Sequence, residues 1–307
     1  VSSVANNDVR NGIFAMIGAC TIWGLSPLYY KLLTHVPPLE VLSHRALWSL
    51  AFFGAVLLFQ RRLGEIPIAL GKLSRAGWVL LASLLISANW GLFIWAIQAG
   101  RVTETSFGYY IFPLIAVLFG AILFGERLGR VRWGAVGLAA LAVIVLGIGL
   151  GTPPWISLVL GVTFGIYGVL KKQVEAGPVV SVTAEVLLLS PLAIGYLVFV
   201  VGGISFDGRT LALLALSGLL TAGPLILFSY ASKRVRLSTV GVMQYINPTL
   251  QFMCAAVIFG EPVTIWHMIA FPLIWIALTI YSVASIRQDR AARKVARASS
   301  TVAATDT

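Results

Sequence analysis

Apolar residues fall in long windows along this chain, separated by short polar or basic stretches. The windows lie near 12–31, 39–59, 77–98, 105–124, 132–150, 155–172, 179–201, 211–231, 238–259 and 264–284. About 20 helical residues cover the ~30 Å hydrocarbon core of a bilayer. A segment of that length in lipid must satisfy its own backbone N–H and C=O groups, which favours a helix over any open strand. The pattern predicts an all-α membrane protein with ten transmembrane helices. The first window, from Gly12 to Tyr30, carries a Trp, a Pro and two Tyr, which suits a retained span better than a cleaved leader.

Inside this pattern lies a repeat. Leu92–Glu126 aligns without a gap to Leu227–Glu261, at a constant offset of 135 residues. Both copies hold Leu-Phe (Leu92-Phe93, Leu227-Phe228), an Arg (Arg101, Arg236), Tyr-Ile-x-Pro (Tyr110–Pro113, Tyr245–Pro248) and Phe-Gly-Glu (Phe124–Glu126, Phe259–Glu261). The copies are five windows apart, and an odd number of crossings reverses direction. The repeat is therefore expected to be inverted. It gives two five-helix halves, 11–150 and 155–285, related by a pseudo-two-fold axis in the membrane plane, with tails at 1–10 and 286–307. That is the plan of many secondary transporters.

Composition agrees: 59% of residues are hydrophobic, 11% are charged, and the mean hydropathy is +0.93. A net charge of +11 invites a nucleic-acid reading, but its distribution argues otherwise. Of the 22 Lys and Arg, 18 fall on one side of the predicted membrane: Arg10; Arg61, Arg62, Lys72 and Arg75; Arg127, Arg130 and Arg132; Lys171 and Lys172; Lys233, Arg234 and Arg236; and Arg287, Arg290, Arg293, Lys294 and Arg297. The positive-inside rule makes that side cytoplasmic, with both termini on it. The basic tail is expected to lack fixed structure or to lie on anionic lipid, and no nucleic-acid partner is expected. Cys20 and Cys254 lie inside apolar windows, with no metal-ligand spacing and no disulfide framework.

Several motifs resemble the drug/metabolite transporter superfamily, EamA type, and within it the RarD-like subfamily. They are Trp23-Gly24-Leu25-Ser26-Pro27-Leu28-Tyr29-Tyr30-Lys31, Leu39-Glu40-Val41-Leu42-Ser43-His44-Arg45 with Trp48-Ser49, and Phe164-Gly165-Ile166-Tyr167-Gly168. Glu185, Pro191-Leu192, Ala222-Gly223-Pro224, Leu237-Ser238-Thr239, Gln244–Phe252 and Phe259-Gly260-Glu261 continue the match over about 11–285. The fourth window departs from it, reading Tyr-Ile-Phe-Pro, with Phe112 where relatives usually have Asn before the Pro. The resemblance implies ten helices, a bacterial inner-membrane location, and export of small organic metabolites or drugs.

The windows also suggest where a solute would sit. Pro113 and Pro248 hold matching repeat positions, roughly 12–15 Å into their windows, near the midplane. Each removes a helical hydrogen bond, which frees the carbonyls of Tyr109 and Gln244. Helices interrupted at paired positions point to a transporter site. Pro224 has Asn89 as its repeat mate. Buried charge is costly in lipid, so three groups stand out. His44 and Arg45 lie about a turn below the outer surface, and Glu185 lies at a similar depth from the inner one. Snorkelling to the interface is the plain alternative for Arg45 and Glu185. Asn89-Trp90, Tyr109-Tyr110, Gln244, Tyr245 and Asn247 are candidate walls of a polar-aromatic cavity. Trp23, Trp48 and Tyr167 are deep enough to join them, whereas Trp78, Trp133, Trp155 and Trp266 read as an interfacial belt. Gly147–Gly151 reads as close helix packing. Glu126 and Glu261 are expected to bond loop backbone or to pair with Arg127, Arg130 or a neighbour.

These features predict a secondary transporter of a small-molecule solute, working by alternating access. No GxxxxGK[ST] loop is present, so ATP hydrolysis by this chain is not expected. Energy would come from the solute gradient or an ion gradient, with Glu185 and His44 the groups suited to carry protons. A flippase for lipid or lipid-linked solute is the alternative. An intramembrane enzyme is disfavoured because Asp8, Asp207, Asp289 and Asp306 lie in tails or a loop, none paired. No cofactor and no metal are expected.

Overall fold

The computed structural model describes residues 2–71, 73–124, 129–171, 176–202, 207–235 and 237–305. Among these there is no strand. The helices are α1 (Ser2–Lys31), α2 (Pro38–Phe59), α3 (Glu65–Leu70), α4 (Leu73–Gln98), α5 (Val102–Phe124), α6 (Arg130–Leu150), α7 (Trp155–Lys171), α8 (Pro178–Gly195), α9 (Gly208–Ser232), α10 (Leu237–Met243), α11 (Ile246–Met253) and α12 (Ile265–Thr305). Short π-helical turns, Tyr196–Val200 and Cys254–Ile258, extend α8 and α11. Glu126 and Arg236 from the repeat, with Arg127, Lys72 and Lys172, lie outside the described residues. The backbone of the basic tail is helical, because α12 runs on to Thr305.

Among the described residues, which form helices and no strand, eight helical stretches are long and apolar enough to cross a membrane, as in a multi-pass membrane protein. The other two windows differ for visible reasons. The described part of the sixth window, the helix Trp155–Lys171, has 17 residues. The window at 238–259 is divided at Gln244-Tyr245, where turns close on Val240 and Val242 before the chain restarts at Ile246. The paired prolines therefore act differently. Pro113 sits inside a continuous α5, between apolar neighbours. Pro248 lies just after the break at Gln244-Tyr245, where the Gln244 carbonyl, expected to be freed, accepts from the Asn247 N–H at 3.1 Å.

The outer surface of the bundle is apolar. Phe59 and Phe199 are each 86% exposed and Ile148 is 75% exposed, as suits contact with lipid tails rather than water. Trp78, Trp133, Trp155 and Trp266 are also exposed, in keeping with an interfacial belt.

The interior is built by a regular set of helix pairs. α5 packs on α7, and α11 on α1. α4 packs on α7, and α9 on α1. α2 packs on α9, and α8 on α4. Three further pairs, α2 with α8, α5 with α11 and α6 with α12, close the bundle. Two glycines among those at tight crossings permit related approaches. A Cβ on Gly24 would lie 2.7 Å from Leu250 Cβ, and one on Gly165 would lie 3.1 Å from Ile115 Cγ2. Ile115 and Leu250 are separated by the same 135 residues that relate the two sequence copies.

Between these helices lies an aromatic core. Tyr29, Tyr30, Phe93 and Tyr109 are buried together, with Phe112 and Phe164 packed against them. Their rings meet edge to face at centroid distances of 4.9–6.0 Å. Polar groups inside are matched across helices: Tyr29 Oη donates to the Leu213 carbonyl at 2.5 Å, and Gln98 Nε2 donates to the carbonyls of Leu33 and Val36.

Candidate solute pathway

Arg45 is the eighth residue of α2, and Glu185 is the eighth of α8. Their surroundings differ. Arg45 is buried, its Nε donating to Thr221 Oγ1 at 2.9 Å. Its guanidinium lies 4.0 Å from the ring centre of Trp90 and 5.8 Å from that of Tyr30. Among the described residues it has no ion-pair partner, and its two Nη nitrogens have no hydrogen-bond acceptor. Trp90 and Arg45, two predicted site residues, are thus in direct contact. His44 is buried beside it in sequence, with Nε2 unpartnered, and Glu40 Oε1 one turn earlier is unpartnered too.

Glu185 is met on every side. Lys171 Nζ lies 2.5 Å from Oε1. Ser181 Oγ donates to the same oxygen at 3.1 Å, and Tyr167 Oη donates to Oε2 at 3.0 Å. Lys171 also donates to Ser181 Oγ. Glu185 and Tyr167, both candidate site residues, thus belong to one cluster that joins α7 to α8. The spacing carried a signal for it. Tyr167 and Lys171 are four residues apart on one helix, as are Ser181 and Glu185 on the next, so each pair shares a face.

The polar residues between the two charges are largely spent on holding helices together. Asn89 is fully buried. Its Nδ2 donates to the Leu160 carbonyl and to Thr163 Oγ1, both at 2.9 Å, and its Oδ1 accepts from Tyr109 Oη at 3.0 Å. This junction ties α4 to α5 and α7. Tyr110 turns away from Tyr109, toward α11 and α12. Its hydroxyl lies 2.6 Å from Thr249 Oγ1, and its ring meets Phe271 and Trp275. Tyr110 and the half-buried Tyr245 therefore share a second apolar cluster, apart from Arg45. Phe112, at the departure from the family pattern, packs edge-on against Phe164 at 4.9 Å.

At the break after α10, Gln244 is half-buried within the turn. Asn247 Oδ1 accepts from Gln251 Nε2 at 2.9 Å, and the carbonyl of buried Pro248 accepts from Ser106 Oγ at 2.8 Å. Trp23 is half-buried, 6.0 Å from Phe228. Trp48 is 44% exposed, and its backbone lies where α2 crosses α9 at Gly218. Sequence reasoning missed Thr221, Tyr30 and Lys171. Thr221 gave no signal, because a threonine in an apolar helix commonly bonds back to its own turn, as this one also does to Ser217.

Glu261 bonds backbone at the first residues of α5 rather than in a loop. Its oxygens accept from the N–H groups of Val102 and Thr103 and from Thr103 Oγ1, each at 2.7 Å, which places a carboxylate at the start of α5. At the same end of the bundle, a cavity of about 400 Å³ is lined by Leu32, His35, Asp207, Arg209, Thr210 and Leu213. It holds none of the predicted site residues. Asp207 caps α9 by accepting from the Thr210 N–H at 3.0 Å. Its hydrogen bonds with Thr210 hold its carboxyl below the usual range, with smaller help from the charges of His35 and Arg209. Among the described residues no group of three or more His, Cys, Asp or Glu is placed to hold a metal ion.

The chain matches the EamA-like transporter family twice, over residues 10–148 and 154–283. It is 41% identical over 307 residues to Protein RarD of Streptomyces exfoliatus, covering 98% of both chains. It is 37% identical to the uncharacterized transporter YojE of Bacillus subtilis, covering 93% of this chain and 98% of that one. A crystal structure with 18% sequence identity superposes with a TM-score of 0.57 over 90% of this chain and 98% of the other, which is a likeness of fold alone. Matched along nearly its whole length, this multi-pass membrane transporter belongs to the EamA-like transporter family, in the RarD-like branch of the drug/metabolite transporter superfamily.

Proposed function

We propose that the protein is a secondary transporter that exports small organic metabolites or drugs by alternating access between two inverted repeats, 11–150 and 155–285. Ten crossings would put α10 and α11 together as the ninth span and α7 as the sixth. The observation that carries this reading is the helix pairing. Each of the six pairs α5–α7, α1–α11, α4–α7, α1–α9, α2–α9 and α4–α8 has a counterpart among them in which every member is exchanged for the helix five spans away, and α2–α8, α5–α11 and α6–α12 are their own counterparts. The approaches of Gly24 to Leu250 and Gly165 to Ile115 obey the same exchange. Two halves that pack as copies can rock about the shared contacts without losing them.

In this reading both termini are cytoplasmic, in the bacterial inner membrane, and the basic tail faces anionic lipid. The α1–α2 loop is then outside. Cysteines placed at Thr152 should label from outside and those at Gly71 should not; Cys20 and Cys254 are buried. Protons are the candidate coupling ion, through His44 and Glu185. Glu185→Gln that keeps wild-type rate and pH dependence removes Glu185 from that role. The reading itself is tested by comparing metabolite accumulation in cells with and without the gene, then measuring flux in liposomes under imposed solute and proton gradients. Absence of flux for every solute whose accumulation differs would overturn it.

A further inference from the structure

We infer that Arg45 is the recognition point of a solute-binding site, and that its ligand is a monovalent organic carboxylate with an apolar or aromatic body. The inference rests on the transport reading above and names its substrate class.

The first argument is the direction of the side chain. Arg45 lies roughly 10 Å along α2 from its start. Thr221, to which it bonds, lies roughly 20 Å along α9, and both helices begin at the same end of the bundle. The guanidinium therefore reaches toward the middle of the bundle. Snorkelling would send it the other way.

Unmet bonding is the second. A guanidinium carries five N–H donors. Thr221 takes the Nε donor and Trp90 covers a face. The four Nη donors have no acceptor among the described residues, and no carboxylate there lies within ion-pair distance. A buried charge in that condition is costly unless something from outside the chain completes it. The same two turns of α2 hold two fully buried side-chain atoms without partners, Glu40 Oε1 and His44 Nε2. Glu185 shows that this bundle can supply a counter-ion to a buried charge: at the same helical position it has Lys171.

The chemistry of the ligand follows from what is present. Two parallel Nη donors match the two oxygens of a carboxylate. One positive charge balances one negative charge, and a dianionic phosphate would keep an uncompensated charge in a low-dielectric interior. Trp90 and Tyr30 flank the guanidinium with ring surface, so the remainder of the ligand should be apolar or aromatic.

The test uses the purified full chain in detergent and follows thermal unfolding with phenylacetate, benzoate and cyclohexanecarboxylate, each against its neutral amide. At least one carboxylate should raise the midpoint saturably while its amide does not. Arg45→Gln should abolish the shift, and Arg45→Lys should weaken binding about tenfold, because an ammonium lacks the fork. Thr221→Val should weaken it less, by freeing the guanidinium to swing. If Arg45→Gln fails to fold, the acid-against-amide contrast and Thr221→Val decide the matter. Equal shifts from acid and amide, no shift from any of the acids, or an undiminished acid shift in Arg45→Gln overturns the inference. Flux of a neutral solute in liposomes alongside any of those results rejects the carboxylate and leaves the transport reading standing. Carboxylate binding without flux does the reverse.

Discussion

Arg45 and Glu185 are each the eighth residue of a helix that starts at one end of the bundle, and their environments differ in kind. Glu185 is enclosed by Lys171, Ser181 and Tyr167, with both oxygens bonded. Arg45 is fixed by one hydrogen bond and one stacked ring, with its forked end unmatched. Equal depth therefore does not mean equal role. A closed ion pair holds helices at a fixed distance, because either charge left alone is costly. An open charge is held in readiness at the same cost, which makes sense where a ligand completes it.

The largest expected effect tests the closed end. Lys171→Ala leaves Glu185 buried without its cation and should cost about 3 kcal/mol, reduced because Lys171 is 22% exposed. The double replacement Lys171→Met with Glu185→Leu should be near neutral, since it removes both charges. Thermal unfolding in detergent reads both, and a single variant as stable as wild type would remove the structural role assigned to the pair.

The open end should respond in the opposite way. Arg45→Ala removes a charge with unmet donors, so its stability loss should fall well below that of Lys171→Ala. Its flux should drop about tenfold or more, equivalent to about 1.4 kcal/mol. Liposome flux alongside unfolding separates the two quantities. A large stability loss with flux per folded molecule unchanged would make Arg45 a packing residue.

The prolines sharpen the comparison at the next level. Pro248→Ala gives the broken segment at Gln244-Tyr245 a way to become one helix and should slow flux several-fold while the protein still inserts. Pro113→Ala acts in a helix that is already continuous and should change flux less. Equal effects would return both prolines to the same role.

Asp207 gives the smallest effect. Its folded carboxyl titrates below its unfolded value, so its capping contribution is present above the unfolded value and fades as pH falls through the folded one. Asp207→Ala should lower the unfolding midpoint slightly at neutral pH, and the difference from wild type should vanish in acid. A difference that persists in acid would assign the loss to something other than the charged cap.

Much of the architecture was legible in the pattern alone. Long apolar windows dictate helices, because lipid offers no partner for backbone groups, and the Tyr-Ile-x-Pro and Phe-Gly-Glu copies marked a repeat before any contact was known. The candidate site was legible only as a set of residue types at certain depths. Sequence placed Asn89, Tyr109 and Tyr110 on one cavity wall. Neighbouring residues on a helix point about 100° apart, so Tyr109 joins Asn89 beneath α7, while Tyr110 joins Thr249 and Trp275.

What the sequence determined by itself is what depends on one segment and its solvent: helical spans, their apolar outer faces, and the resemblance that family matching bears out. Partnership between side chains was decided only by tertiary structure. Whether Glu185 stands free or paired depends on α7 bringing Lys171 within 2.5 Å. Whether Arg45 snorkels or turns inward depends on α9 offering Thr221 at greater depth. Whether a proline breaks its helix depends on the neighbours that satisfy, or fail to satisfy, the bond it removes. Each is a contest between local alternatives of similar free energy, and contacts from distant parts of the chain tip the balance.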